Sequence, residues 1–316
     1  MNFERIDIHA HYYPSEHLKL IQSMIDDIYV KGSRFPAMEK MYNIDLRLKE
    51  MEAAKITKQI LSVGPPGVDR MDAKVAVKEA NKCNDELASI VEKNPERFDA
   101  LAILPLQVMD EALQELDRAI NDLGFKGVMI NSNVARKPLD SPDFFAFYEN
   151  AGDAGIPIYI HPTVPVCTDL QNEYALHTVL GFLFDSSLAV ARLILSGVLD
   201  KFPKTKFIVS HLGSLLPYIK QRLDDQWSSF PPPLRGAISI PPSNYLNRFY
   251  TDTVNNHPPS YELAKQIFGS GRIMFGTDYP FLDSSKCANC VSGLEVFSES
   301  EKREIFTENA RKMFTL

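Results

Sequence analysis

Short apolar runs alternate with longer amphipathic stretches along the whole 316-residue chain. Short runs of this kind are typical of buried parallel strands, and the longer stretches have the periodicity of helices. The eight predicted strands are Arg5–His9, Gln59–Val63, Asp99–Leu104, Gly127–Ile130, Pro157–His161, Lys206–His211, Phe249–Thr253 and Arg272–Gly276. The helices predicted between and after them are Leu46–Ala54, Ala73–Lys93, Glu111–Leu123, Phe144–Ala154, Ser187–Lys201, Leu215–Trp227, Tyr261–Phe268 and Glu299–Phe314. Eight alternations predict an α/β fold, a (β/α)8 TIM barrel, as a single domain over residues 1–316.

A doubly wound open sheet would also show alternating strands and helices, but no glycine-rich phosphate-binding turn follows the first strand.

Two long connections interrupt the alternation of strands and helices. The insertion after strand one, about residues 12–42, is too long for a plain βα loop and includes a predicted helix at Glu16–Ile28. It follows the C-terminal end of a strand, so we expect it over the active-site face. The proline-rich segment 230–244 is expected to run irregularly on the outer wall or at a subunit contact.

Composition narrows the class of protein. The net charge is −7 with no basic stripe, which argues against nucleic-acid binding. The first residues lack the layout of a signal peptide, and the apolar stretch Leu180–Leu199 contains Asp185 and Arg192, which argues against a membrane span. Four cysteines suit a reducing compartment, so we expect a cytoplasmic protein that uses no disulfide to fold.

The first strand ends in two histidines separated by one residue, His9 and His11. Alternate side chains of a strand share a face, so both imidazoles are expected on one side, with Asp7 behind them. Two imidazoles so placed can chelate one ion. Asp7 is expected to support the ligands from behind.

Three more polar residues follow other strands: His161 ends strand five, His211 ends strand six and Asp278 follows strand eight. The C-terminal ends of barrel strands surround one pocket, so these residues should meet the histidine pair. Three neutral imidazoles and a carboxylate suit a divalent ion such as Zn²⁺, with a position left for water or substrate. His161 completes the imidazole set, and Asp278 can bind metal or accept a proton. His211 is then the spare imidazole for proton transfer.

The remaining candidates are weaker. His17 and His177 are predicted to be surface or capping residues, whereas His257 follows strand seven on the active face and is a candidate substrate contact. Cys287-x2-Cys290 resembles half of a zinc knuckle, but without a second pair these are interpreted as incidental thiols in a loop. Strand four has its lysine at the start rather than at the end, which disfavours a binuclear centre bridged by a carboxylated lysine.

Four strand-end motifs can be compared with known families: Asp7-x-His9-x-His11, His161, His211-Leu212-Gly213 and Gly276-Thr277-Asp278-Tyr279-Pro280. Together they resemble the amidohydrolase superfamily and, more narrowly, the family of 2-amino-3-carboxymuconate-6-semialdehyde decarboxylase (ACMSD) and related metal-dependent decarboxylases. The likeness spans nearly the whole chain. It implies one Zn²⁺, or Mn²⁺ in some relatives, held by His9, His11, His161 and Asp278. It also implies that His211 is the acid/base residue.

The same resemblance bears on substrate binding. In ACMSD an arginine eleven residues after the acid/base histidine reaches the neighbouring subunit's substrate carboxylate; Arg222 matches it here, which implies an active homodimer. Arg34, in the first insertion, is a candidate for a second carboxylate contact. The chain departs from the family where Leu212-Gly213-Ser214 replaces a run of glycines, and its first insertion is shorter.

The sequence therefore predicts a mononuclear metal-dependent, cofactor-free decarboxylase of a small unsaturated or aromatic carboxylic acid. A lactonase or amidase with the same metal is the alternative, with His211 as the base for water. A barrel that only binds a ligand or partner is a third reading, disfavoured because the five-residue set is intact.

Overall fold

Seven parallel strands form the centre of the computed structural model, which describes residues 3–24, 39–165, 170–171 and 173–316. The strands of the described chain are β1 (Ile6–His11), β2 (Lys58–Ser62), β3 (Phe98–Ala102), β4 (Gly127–Asn131), β5 (Asn133–Val134), β6 (Lys137–Pro138), β7 (Pro157–His161), β8 (Lys206–Val209) and β9 (Tyr250–Thr251). The parallel sheet has the order β1-β2-β3-β4-β7-β8-β9, and β5 and β6 form a separate two-stranded hairpin. The α/β fold is thus confirmed, with a parallel sheet in chain order.

The predicted eighth strand does not form a continuous ladder. Ile273 makes a single parallel bridge to Thr251 of β9, and Tyr279 makes one to Ala10 of β1. Between these bridges the N–H groups of Met274 and Asp278 donate to the carbonyls of Thr251 and His9, whereas the other three have different partners. Phe275 donates to the carbonyl of Ile305, Gly276 to Thr253 Oγ1, and Thr277 to the carboxylate of Asp7. The segment 273–279 therefore lies between β9 and β1 and is held by side chains as much as by backbone pairing.

Helices follow most strands. They are α1 (Ser15–Met24), α2 (Ile44–Ala54), α3 (Ala73–Lys93), α4 (Met109–Asn121), α5 (Phe145–Asp153), α6 (Phe182–Leu195), α7 (Val198–Lys201), α8 (Leu216–Ser229), α9 (Ser243–Leu246), α10 (Pro258–Phe268), α11 (Ser284–Gly293), α12 (Glu299–Arg303) and α13 (Asn309–Phe314). π-helical turns at His177–Gly181 and Glu304–Glu308 lead into α6 and α13. The sequence did not predict α11, which begins where the Asp283 carboxylate accepts the N–H of Lys286. Cys287 and Cys290 lie on this helix, so their placement in a loop was wrong.

Two apolar clusters form the core. The larger lies between the strands and the helices. The smaller consists of buried residues from six strands of the parallel sheet, from the 273–279 segment and from the C-terminal helix, with the partly buried Tyr250 of β9 packed against it. The buried residues are Ile6, Ile8, Ile60, Leu101, Met129, Tyr159, Ile208, Met274, Ala310, Met313 and Phe314. Side chains from non-neighbouring strands can meet only on the concave side of a curved sheet. The smaller cluster therefore fills the inside of the sheet, and α13 covers its N-terminal end.

The two long connections are seen in part. Of the first insertion, α1 and a 3₁₀ turn at Glu39–Met41 are described, whereas residues 25–38, with Arg34, lie outside the described residues. The proline-rich segment 230–244 is irregular as expected, apart from a 3₁₀ turn at Pro232–Leu234 and the start of α9. One described stretch, His177–Leu195, has the length and mean hydropathy (1.7) of a membrane span, but half of it is buried inside the fold.

Candidate metal centre

Four side chains with metal-binding atoms meet at the C-terminal ends of the strands. They are His9, His11, His161 and Asp278, whose ligand atoms all lie within 4.8 Å of one another. The Nε2 atoms of His9 and His11 are 3.0 Å apart, and each is 3.3 Å from Asp278 Oδ1. The imidazoles are buried, and the Asp278 side chain is 16% exposed. The structure thus brings together the four residues that the sequence singled out as ligands.

The second nitrogen of each imidazole has its own partner. His9 Nδ1 lies 2.7 Å from Asp252 Oδ2, His161 Nδ1 lies 2.7 Å from the carbonyl of Pro162, and His11 Nδ1 lies 3.2 Å from Ser62 Oγ. These contacts fix the rings with Nε2 available to the cluster. His161 Nε2 is buried and has no hydrogen-bond partner among the described residues. Such an orphaned nitrogen beside two further imidazoles and a carboxylate fits a divalent metal ion.

The charges of the cluster favour a cation. Burial opposes a charged His9, but the carboxylates of Asp278 and Asp252 outweigh it and raise the pKa of His9 to about 10. Burial lowers the pKa of His11 to about 4. Burial would raise the pKa of Asp278, yet the surrounding imidazoles hold it well below its usual range. A positive charge is therefore stabilised among these groups, and a divalent ion can replace the proton that His9 otherwise holds.

His211 lies beside this cluster but is not one of its four residues. Its ring centroid is 5.4 Å from that of His9 and 5.3 Å from that of His161, and its Nε2 is 3.8 Å from Asp278 Oδ2. His211 and Leu212 adopt positive φ angles of 58° and 54°, which are uncommon for residues with a side chain. Leu212, which stands where the resemblance to ACMSD predicts a glycine, thus adopts a left-handed backbone although it carries a side chain.

Asp252 stabilises this turn and was missed by the sequence analysis. Its carboxylate accepts the N–H groups of His211 (3.1 Å) and Leu212 (2.9 Å), besides contacting His9 Nδ1. Tyr159 donates its hydroxyl to the same carboxylate at 2.6 Å. A signal was present, because Asp252 is an acidic residue near the end of the predicted seventh strand, the kind of position that pointed to the other site residues.

Asp7 supports the site differently from the expectation. The β1–β2 register shifts between Asp7 and Ala10, and Ile6 and Ile8 both pack inside the sheet, so Asp7 points to the outer side. Its carboxylate accepts the backbone N–H groups of His9 (3.1 Å) and Thr277 (3.0 Å). The prediction that Asp7 shares the face of the histidines is wrong. Asp7 instead joins the backbone of β1 to the segment that carries Asp278.

A buried arginine completes this support. Arg47 donates to the carbonyl of His11 and, at 3.1 Å, to Gln59 Oε1, while Gln59 Nε2 donates to Asp7 at 2.8 Å. The Arg47 guanidinium also lies 4.3 Å from the ring centroid of Tyr279. Burial lowers the pKa of Arg47 to about 10. The strand that carries two candidate ligands is therefore fastened from behind by a hydrogen-bonded chain.

Gly64 permits the loop after β2 to approach the cluster. A Cβ at this position would lie 2.4 Å from the hydroxyl of Tyr13 and 2.8 Å from His11 Nδ1. Both distances are shorter than van der Waals contact, so any side chain would displace the His11 ring. No pattern in the sequence marks this glycine.

The other candidates lie apart from the cluster. His257 is exposed at the start of α10, with Nδ1 3.1 Å from Ser260 Oγ, and Arg222 is exposed on α8. His17 and His177 were predicted to be surface or capping residues; both are buried, at 1% and 8% exposure, and His177 begins the π-helical turn before α6. His17 Nδ1 lies 3.1 Å from Glu79 Oε1 of α3.

Comparison with known proteins gives consistent matches over the full chain. The amidohydrolase family model matches residues 6–316. Gamma-resorcylate decarboxylase from Rhizobium radiobacter is 31% identical, covering 95% of this chain and 97% of that protein, and ACMSD from Dictyostelium discoideum is 27% identical, covering 99% and 92%. The solved dihydroxybenzoic acid decarboxylase from a Polaromonas species, with bound manganese and the inhibitor 2-nitroresorcinol, is 28% identical with a TM-score of 0.90, covering 100% of this chain and 98% of that one.

Proposed function

The chain belongs to the amidohydrolase family, and on that premise we propose that it is a mononuclear metal-dependent decarboxylase of a small aromatic or unsaturated carboxylic acid. One observation carries this proposal. The cluster of three imidazoles and a carboxylate leaves His161 Nε2 without a protein partner and places a further imidazole, His211, beside it. The three relatives described above are decarboxylases, which supports the reaction type.

His9, His11, His161 and Asp278 would hold the ion. When bound, the ion supplies Lewis acidity and orients an oxygen-bearing substrate. Three nitrogens and one oxygen suit Zn²⁺, and the manganese in the Polaromonas relative makes Mn²⁺ the second candidate. No organic cofactor enters the proposed reaction.

His211 would move the proton. Decarboxylation breaks the bond between the ring or chain carbon and the carboxylate, CO2 leaves, and the electron pair remains on that carbon. His211, held by Asp252 on the open side of the cluster, would donate a proton there. Asp278 Oδ2 lies 3.8 Å from His211 Nε2 and would orient that imidazole.

Substrate carboxylates need cationic partners, and we propose Arg222 and Arg34 for that role, with His257 as a further substrate contact. Arg222 is exposed on α8. It would act across a homodimer, as the resemblance to ACMSD implies. An exposed apolar strip, defined here as Val179, Phe184 and Leu188 at 54–59% exposure, could supply the dimer contact. Arg222→Ala should then raise KM while leaving the molar mass in light scattering unchanged.

We also propose four further features of the protein. The single bridges at Ile273 and Tyr279 support a closed (β/α)8 barrel. Residues 1–316 would form one domain, with the segment after β1, about 12–42, covering the active-site face. The protein would work in the cytoplasm.

A substrate screen tests the proposed function. Carboxylated muconates, resorcylates and pyrimidine carboxylates are incubated with protein of known metal content, and CO2 release is measured. We expect release from at least one member, in proportion to the bound metal. Hydrolysis of lactones or amides without CO2 release would favour the alternative hydrolase.

A further inference from the structure

A second group of metal-binding side chains lies where α1 packs against α3. It consists of His17 on α1 and Glu79 and Cys83 on α3, whose ligand atoms lie within 4.8 Å of one another. All three are nearly inaccessible to solvent, at 1%, 5% and 0% exposure. The group shares no residue with the candidate metal centre, so it needs an explanation of its own.

The face of α3 that meets α1 is unusual for a buried helix surface. Glu79, Cys83 and Glu86 follow one another at spacings of four and three residues and therefore share one face. Two of them contact the β1–α1 segment, because Glu79 pairs with His17 and Glu86 accepts the hydroxyl of Tyr12 at 2.8 Å. Apolar side chains normally occupy such a face. Ligand spacings of three and four residues on a helix are those used in metal sites of helical proteins.

His17 leaves a buried polar atom unsatisfied. Its Nδ1 lies 3.1 Å from Glu79 Oε1, but its Nε2 is buried and has no hydrogen-bond partner in the part of the chain that the structure describes. An unpaired buried polar atom destabilises the fold, because it has lost its hydrogen bonds to water. The hydrogen bond to Glu79 alone therefore does not account for a histidine at this position.

We propose that His17, Glu79 and Cys83 bind a second divalent cation of the thiolate-accepting class, with Zn²⁺ as the type, which fastens α1 to α3. One carboxylate and one thiolate would balance the two charges of the ion, and imidazole, carboxylate and thiolate are all established zinc ligands. We assign the ion a structural role, because all three ligands are buried. The ion would anchor the chain immediately after the strand that carries His9 and His11.

Binding requires the thiol to lose its proton. Burial and the neighbouring carboxylates of Glu79 and Glu86 raise the pKa of Cys83, so the thiol is protonated when no cation is present. Zn²⁺ forms the bond to sulfur as the S–H bond breaks, and the proton passes to solvent.

Cobalt distinguishes this site from the candidate metal centre. Co²⁺ bound to a thiolate gives an intense near-ultraviolet charge-transfer band, whereas the other cluster offers only nitrogen and oxygen donors. Metal-free protein of the full chain is titrated with Co²⁺ and the spectrum is recorded. We expect the band and two equivalents of bound metal; no such band at two equivalents overturns the proposal.

Matched serine variants identify the sulfur. Cys83→Ser should lose the band and bind one equivalent, and His17→Gln should weaken binding of the second equivalent. Cys287→Ser, the same change at another buried cysteine, should keep the band. A band that persists in Cys83→Ser would contradict the assignment. If Cys83→Ser does not fold, thiol alkylation of native wild type, with and without bound Zn²⁺ and with peptide mapping, replaces it. Zn²⁺ should slow modification of Cys83 relative to that of Cys287, and an unchanged ratio of the two rates would overturn the proposal.

Discussion

The two ends of the parallel strands are built on different principles. Inside the sheet towards the N-terminal end, the strands contribute apolar side chains such as Ile60, Leu101 and Ile208, which pack in one apolar cluster with α13. At the C-terminal end the three histidines of the candidate metal centre each have a directional polar partner. His9, for example, contacts Asp252 through its ring and Asp7 through its backbone.

This difference assigns stability to the apolar end of the strands and metal binding and catalysis to the polar end. An apolar interior tolerates many combinations of side chains of similar volume, so its identity says little about function. A metal-binding ring must point in one direction, and only a directional partner can hold it there. We therefore expect substitutions at the apolar end to change the free energy of unfolding, and substitutions at the polar end to change metal affinity or turnover.

The largest effect is expected at His211. His211→Asn removes the proposed proton carrier but keeps a polar side chain, so kcat should fall about 10²- to 10⁴-fold. Metal content, measured by elemental analysis of the same sample, should stay at the wild-type level because His211 is outside the four-residue cluster. Unchanged turnover would remove His211 from the mechanism.

A comparably large effect, on stability alone, is expected at Ile60. This side chain is fully buried in the apolar cluster. Ile60→Ala leaves a cavity and should lower the free energy of unfolding in urea by about 2–5 kcal/mol. Metal affinity of the folded variant should be unchanged, and a parallel loss of affinity would show that the two ends are not independent.

A smaller effect is expected at Asp252, which orients both His9 and the His211 turn. Asp252→Asn should weaken metal binding about 10- to 100-fold in competition with a chelator. Asp99→Asn is the matched control. Asp99 is also a buried carboxylate on a strand, β3, but it accepts a hydrogen bond from Lys58 of β2 instead of contacting the candidate metal centre. Equal metal affinities in the two variants would contradict the role given to Asp252.

The smallest effect is expected near the apolar end, at the start of α12. A hydrogen bond from Lys265, with the capping contacts of Ser298, lowers the pKa of Glu301 from 4.5 to about 2. A carboxyl with a lowered pKa stabilises the fold above its unfolded pKa, and that contribution is lost as pH falls from 4.5 to 2. Glu301→Gln should therefore cost about 0.3–1 kcal/mol at pH 7. Urea unfolding at pH 7 and pH 3 should show this difference shrinking in acid; a difference independent of pH would refute the assignment.

Much of this comparison could be predicted from the sequence. The apolar runs located seven strands, and the strand-end histidines with Asp278 located the cluster, because both depend on local pattern. The sequence predicted an eighth strand at Arg272–Gly276 but not its lack of a continuous ladder, which arises because the side chains of Asp7 and Thr253 accept the N–H groups of Thr277 and Gly276. Asp7 itself was assigned to the wrong face because the register shift in β1 interrupts the alternation.

Residues whose partners come from distant parts of the chain escaped the sequence analysis. Asp252 acts on residues about 40 and 240 positions away, and no local pattern links them. The burial of His17 likewise depends on Glu79, sixty-two positions later. Tertiary pairing of polar residues has no periodicity, so only the folded structure could show it.

Isotope analysis of the product tests directly whether the protein decarboxylates or hydrolyses its substrate. The substrate found by the screen is turned over by metal-loaded protein in ¹⁸O-labelled water, and CO2 and the organic product are analysed together. We predict one CO2 released per substrate consumed and no ¹⁸O in the organic product. Incorporation of ¹⁸O into a product carboxylate without CO2 release would contradict decarboxylation and identify a hydrolase.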